Sequence, residues 1–320
     1  MTKLSYCLVG DPTAVDRVNK SKNVVLSGLW QWSFAFAKYG KKGDVRLIRR
    51  KDELEKYDCI HVNMTGGNLG LPQMYRDELS DSSTKLMINV DFDIMDWGAK
   101  WPYPTILEKQ LQCADIIFHV EPYGAHALEH ALKREVFTWP HPVDIVGLDA
   151  FKKIDRKPYI TYVYHRYQPD ITTPYWAIRD LPLNTVLLGY QDGKVPPLTM
   201  WDMTFQHLPF LEAIEIMSES LIGLDLFHGY NYGRSVAEFA VLAIPCICSE
   251  TIEAGRRCFP NLTTNPFDLK RIHELGMKLC TDSAFYEDTF KEAYQAAQYY
   301  AQKSCYERMS TALEESKNAK

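Results

Sequence analysis

LFHGYNYGRSVAEFAVLAIPCICSE (226–250) is the stretch on which the fold turns. An apolar strand, LIGLDLFHGY (221–230), runs into a glycine-bearing loop. A helix, SVAEFAVLAI (235–244), opens near Arg234 and Ser235, and Pro245 leads into the strand PCICSE (245–250). Strand, loop, helix and strand in that order form the unit of a parallel sheet. Ligands of such sheets bind beyond the carboxyl ends of the strands. Backbone N–H groups at Gly233, Arg234 and Ser235 would favour an anion there. Gly233 lets a ligand come close to the backbone, and Arg234 adds a fixed positive charge suited to phosphate. Glu238, one turn into the helix, has a carboxylate that can accept from both hydroxyls of a ribose. The plainer alternative makes Ser235 a helix cap and Glu238 a surface residue.

The same rhythm extends in both directions. KLSYCLVG (3–10), DVRLIR (44–49), YDCIHVNM (57–64), KLMINVDFD (85–93) and IIFHVE (116–121) read as strands. Helical spacing appears at 22–40 through Leu29, Trp32, Phe36 and Tyr39, and again at 104–115 and 124–134. PYITYVYHR (158–166) and NTVLLGYQDG (184–193) are further strands, 209–220 is a helix, and 286–316 reads as one long terminal helix. The charged, aperiodic DIVGLDAFKKIDRKP (144–158) marks a linker. The expected architecture is α/β, with two Rossmann-like domains whose parallel sheets face a central cleft. Their expected bounds are 1–147 and 148–320, with the terminal helix crossing back to the first.

Composition narrows the function. Across 320 residues, 46% are hydrophobic and 24% charged, enough for large cores. The 36 Lys+Arg against 41 Asp+Glu give a net charge of −5, which speaks against a general nucleic-acid coat. The 8 cysteines form no CxxC pair and no zinc spacing, so they read as reduced thiols of a cytoplasmic protein. No signal peptide opens the chain, and no apolar run approaches the roughly 18 residues of a transmembrane helix.

Residues 230–247, YNYGRSVAEFAVLAIPCI, resemble the nucleotide-sugar signature of retaining GT-B glycosyltransferases (glycosyl transferases group 1). That signature runs E-G-F-G-x-x-x-x-E-A-x-A-x-G-x-P-V-I. The chain keeps the aromatic–glycine pair at Tyr232-Gly233, the second glutamate at Glu238 and the proline at Pro245, and it carries small residues at Ala240 and Ala243. It departs at the first glutamate, here Tyr230, and at the next glycine, here Asn231. Weaker similarity runs through CADIIFHVEPYGAHAL (113–128), TWPHPVDI (138–145) and PYITYVYHR (158–166). The resemblance implies a hexosyltransferase that uses a UDP- or GDP-sugar such as UDP-glucose. Glu238 would hold the ribose, and Arg166 would be the first of two diphosphate-binding cations. No lysine follows Arg166 to supply the second, and Arg234 is the expected substitute. The donor set is completed by Gly189, His228, Tyr232, Gly233 and Ser235. No cofactor is required on this reading; Mg or Mn is not expected.

Asp91 and Asp93, at the end of NVDFDIMDW (89–97), read either as catalytic acids of a GT-B acceptor domain or as a metal-binding D-x-D of the GT-A type. Trp97 suits packing on a sugar ring. Gly66 and Gly67 of TGGNLG (65–70) would admit an acceptor close to backbone. His61, His119, His126 and His141 read as structural, whereas His165 and His228 lie at strand ends. The acceptor expected is a saccharide, lipid-linked molecule, protein or modified DNA, the last served by the basic KYGKKGDVRLIRR (38–50). Three readings stand beside the main one. They are a phage-type DNA-base glucosyltransferase, a metal-dependent GT-A transferase, and a nucleotide-sugar binder or epimerase that transfers nothing.

Overall fold

A computed structural model of the chain describes residues 3–10, 28–48, 50–64, 70–91, 104–164, 170–190 and 200–318. The chain divides into two compact units, 1–143 with 300–320, and 144–299.

The first unit holds β1 (Ser5–Val9), β2 (Lys42–Arg46), β3 (Cys59–Met64), β4 (Lys85–Val90), β5 (Ile116–His119) and β6 (Phe137–Thr138). They pair in parallel in the order β2-β1-β3-β4-β5-β6. A parallel sheet must be covered on both faces, so its central strands β3 and β4 are buried at every position instead of alternating. Cys7, Val9, Ile60, Val62, Ile88 and Ile117 serve one face. Tyr6, Leu8, Cys59, Met87 and Phe118 serve the other, against Trp32 and Phe36 of the helix Gln31–Tyr39. Tyr6 stacks on Phe36 at 4.4 Å and Trp32 meets Phe118 edge-on at 5.9 Å. Cys305, Tyr306, Met309 and Leu313 of the helix Gln302–Asn318 close that aromatic layer.

The tail therefore differs from the single helix expected over 286–316. It forms a helix at Ser283–Ala297, a 3-10 turn at Gln298–Tyr300, and a second helix at Gln302–Asn318. The break has a hydrogen-bonding cause. The Tyr300 carbonyl accepts from the Val143 N–H at 2.8 Å, and Ala301 bridges to Val143, so this backbone is spent on the outgoing chain. Tyr300 is fully buried there.

The second unit holds β7 (Lys157–Tyr164), β8 (Asn184–Tyr190), β9 (Met203–Leu208), β10 (Ser220–Asp225), β11 (Cys246–Ser249) and β12 (Thr263–Thr264). These are also parallel, in the order β12-β11-β10-β7-β8-β9. The chain builds outward from β7 to β9, then returns to β10 and builds the other way. The order reverses between β7 and β10, the kind of position at which open α/β sheets bind ligands. β9 has no counterpart among the strands expected from sequence.

All eight cysteines are free, with Cys246 and Cys248 buried in β11. Among the described residues no helix is long and apolar enough to cross a membrane. Met309→Ala should cost about 2–5 kcal/mol, because Met309 is fully buried against the aromatic layer. Urea unfolding followed by tryptophan fluorescence checks this.

Candidate functional site

β10 ends at Asp225, and residues 226–233 form the loop that decides the site. The loop is docked by backbone hydrogen bonds. Glu253 N–H donates to the Asn231 carbonyl and Ala254 N–H to that of Tyr232, each at 2.9 Å. Gly233 opens the helix Arg234–Val241 at φ +80°, in the left-handed region. A Cβ at Gly233 would lie 2.1 Å from Ile252 Cγ2, so both conformation and space demand glycine. No side chain caps this helix end among the described residues, and its first N–H groups face the carboxyl end of the sheet.

Ser235 does not cap the helix, contrary to the plainer reading above. Its hydroxyl donates to Asp225 Oδ2, while Phe227 N–H donates to Asp225 Oδ1 at 3.3 Å. Asp225 is buried, and burial pushes its carboxyl up to about 6 despite these two donors. Glu238 is not a surface residue either, since its side chain is 0% exposed. Arg234 Nε donates to Glu238 Oε1 at 2.9 Å, and the guanidinium lies 4.4 Å from the centre of the Phe210 ring. Arg234 thus keeps its side chain 40% exposed while its head is held in place from two sides. His228 Nε2 stands 3.9 Å from Asp170 Oδ2, with its ring 4.4 Å from that of Phe267. Tyr232 is buried, and Gly189 lies in β8 opposite Tyr164. The carboxyl edge of this sheet therefore carries Gly189, His228, Tyr232, Gly233, Arg234, Ser235 and Glu238. Arg166 and His165 lie outside the described residues.

In the first unit, Asp91 follows β4 directly and its side chain is 33% exposed. A buried polar string runs beneath it through the aromatic layer. Tyr6 hydroxyl donates to His61 Nδ1, and His61 Nε2 donates to Asn89 Oδ1 at 2.6 Å. Burial drives His61 down to about 3, so it is neutral. Asn89 Nδ2, also buried, has no acceptor among the described residues. Beside this string, Trp32 Nε1 donates to His141 Nδ1 at 3.1 Å, and His141 Nε2 lies 3.0 Å from Asp91 Oδ1. His141 and Trp32 were not singled out from sequence as site residues. The P-H-P setting of His141 (140–142) is the sole local signal that its ring is rigidly placed. Asp93, Gly66, Gly67 and Trp97 lie outside the described residues. Among those described, no group of three or more His, Cys, Asp or Glu could hold a metal ion.

The chain's architecture recurs in known structures. The Anabaena protein Alr3699/HepE, solved in complex with UDP-glucose, superposes with a TM-score of 0.67 at 11% identity, covering 98% of this chain and 100% of that one. The chain has the GT-B fold. OtsA in its apo form superposes with a TM-score of 0.63 at 14% identity, over 82% of this chain and 75% of that one. Sucrose-phosphate synthase from Thermosynechococcus elongatus gives 0.60 at 13% identity, over 83% and 75%. No protein-family model and no curated protein matches the sequence.

Within this GT-B chain, Ala243 stands where the retaining signature has glycine, and it lies at φ +59°. Ile244 N–H reaches back to the Phe239 carbonyl at 2.9 Å, which is the closure that favours glycine at the residue between. Ala243→Gly should stabilise the protein by about 1 kcal/mol in urea unfolding. Asp225 makes a pH prediction. Its ionised form is disfavoured by the fold, so its contribution is complete below its ordinary value of 3.8 and is lost as pH rises to about 6. Asp225→Asn should therefore gain on the wild type between those values, by up to about 3 kcal/mol, and hold that gain above them. Urea unfolding of both proteins at pH 4, 6 and 8 measures the difference.

Proposed function

We propose that this chain is a hexosyltransferase that takes its sugar from a nucleoside-diphosphate donor, UDP-glucose in the first instance, and passes it to a hydroxyl with retention. One observation carries the reading. At the strand-order reversal of the second unit, a helix opens on Gly233 beside a cation held in place, in a chain of which 98% superposes on the fold of a protein solved with UDP-glucose. The second unit would bind the donor. Helix N–H groups and Arg234, with Arg166, would meet the charge that grows on the departing diphosphate. The helix N–H groups and Arg234 are fixed before reaction and need little rearrangement, which is what makes such stabilisation effective. They also make a metal unnecessary on this reading. Ribose binding at Glu238 requires the diol to join or replace the Arg234 contact.

The first unit would bind the acceptor, with Asp91 stabilising positive charge at the anomeric carbon or orienting the incoming hydroxyl. Tyr230, where the retaining signature has a carboxylate near the sugar, favours a second reading in which the donor is bound but not transferred.

Calorimetry with UDP-glucose, and UDP release with and without EDTA, separates the two. Transfer predicts binding, slow UDP release insensitive to EDTA, and at least a tenfold loss of affinity in Arg234→Ala, the order expected for a charge-assisted contact. Binding without UDP release, with any acceptor class supplied, supports the second reading. Binding of neither UDP- nor GDP-sugars overturns both.

A further inference from the structure

The Asp91 carboxylate has a neighbour with only one way to face it. His141 is 4% exposed and sits in the segment joining β6 to the second unit. That segment is fixed at both sides: Trp139 N–H donates to the His119 carbonyl at 3.0 Å, Gly28 N–H to that of Pro142 at 3.2 Å, and Val143 N–H to that of Tyr300 at 2.8 Å. The ring therefore has little freedom to turn. Trp32 is fully buried, and its indole N–H is a donor with no acceptor capacity. Its hydrogen bond to Nδ1 of His141 requires that nitrogen to be unprotonated. The proton of the neutral imidazole is then on Nε2, which lies 3.0 Å from Asp91 Oδ1 at an ion-pair distance rather than in a well-aligned hydrogen bond. In the other tautomer two N–H groups would confront one another at Nδ1, and a lone pair would face the carboxylate at Nε2.

We propose that His141 is the positioning residue for Asp91, locked by Trp32 in the Nε2–H tautomer so that one carboxylate oxygen is held and the other is left toward the reacting centre. The assignment rests on the role given to Asp91 above. A carboxylate that stabilises an anomeric carbon or orients a hydroxyl acts only over a narrow range of positions, and misplacement by about 1 Å can cost about a hundredfold. A one-third exposed side chain just beyond a strand end would otherwise sample several rotamers. His141 and Trp32 supply the restraint from beneath, on the face of the sheet that also holds the neutral Tyr6–His61–Asn89 string.

Two measurements on the full chain test this. Long-range nitrogen–proton correlation spectra, with His141 assigned from its own variant, should show the Nε2–H tautomer. Trp32→Phe should mix the tautomers, and Asp91→Ala should shift the Nε2 resonance. UDP release from UDP-glucose should fall about tenfold to a hundredfold in kcat for His141→Leu, with KM within about twofold. His141→Gln, whose amide can present a donor near the Nε2 position, should recover most of that loss. An Nδ1–H tautomer in the wild type, or equal loss in the Leu and Gln variants at unchanged thermal stability, overturns the proposal. Absence of UDP release in the wild type instead fails the transferase reading, and the spectra then decide the His141–Asp91 pairing by themselves.

Discussion

Parallel strands cannot be joined by tight turns, and each crossover must climb over one face of the sheet. In the second unit this constraint fixes where the strand order turns back on itself. Building from β7 to β9 and then from β10 to β12 reverses the strand order between β7 and β10, the place where ligands of such sheets bind. Everything placed there follows from that reversal. The loop at 226–233 leaves β10 there, Gly233 turns the loop into a helix at a position only glycine accepts, and Arg234 is delivered to the rim.

The charges on that edge are arranged at unequal depth. Glu238 is enclosed and would be costly to bury alone, and Arg234 compensates it while leaving its own side chain partly in solvent. Asp225 lies deep as well, but its partners are a hydroxyl and a backbone N–H rather than a cation. One carboxylate is thus matched by charge and the other only by dipoles, and burial shifts Asp225 upward despite its two donors. The first unit uses a different balance: a neutral string of tyrosine, histidine and asparagine inside an aromatic layer, with the Asp91–His141 pair beside it.

Most of this architecture was legible in the residues. The run 226–250 announces strand, loop, helix and strand because its apolar residues, Gly233 and Pro245 each sit where that order requires. The parallel strands were legible because both faces are buried and the runs are mostly apolar. What escaped was what depends on distant partners. Ser235 looks like a cap from its neighbours alone, yet Asp225, ten residues earlier, takes its hydroxyl. The terminal helix looks continuous from its periodicity, yet Val143 claims the Tyr300 carbonyl. His141 and Trp32 are 109 positions apart, and no periodicity links an indole on one helix to an imidazole between two prolines. Asp93, Arg166, Gly66, Gly67 and Trp97 lie outside the described residues.

The pairing of Val143 with Tyr300 has a bearing on synthesis. The second unit is in effect an insertion, entered at 143 and left at 300, within a first unit that is discontinuous in the chain. A ribosome makes β1 to β6 first, but the helix Gln302–Asn318 that covers Tyr6, Trp32 and Phe36 emerges only after the whole insertion. During that interval an aromatic face of the nascent sheet is uncovered, the condition under which chaperones engage and chains misassemble. The second unit, contiguous from 144 to 299, can mature while the first still waits for its last helix. Assembly would then run against the usual order of translation, with the unit begun first being the one finished last.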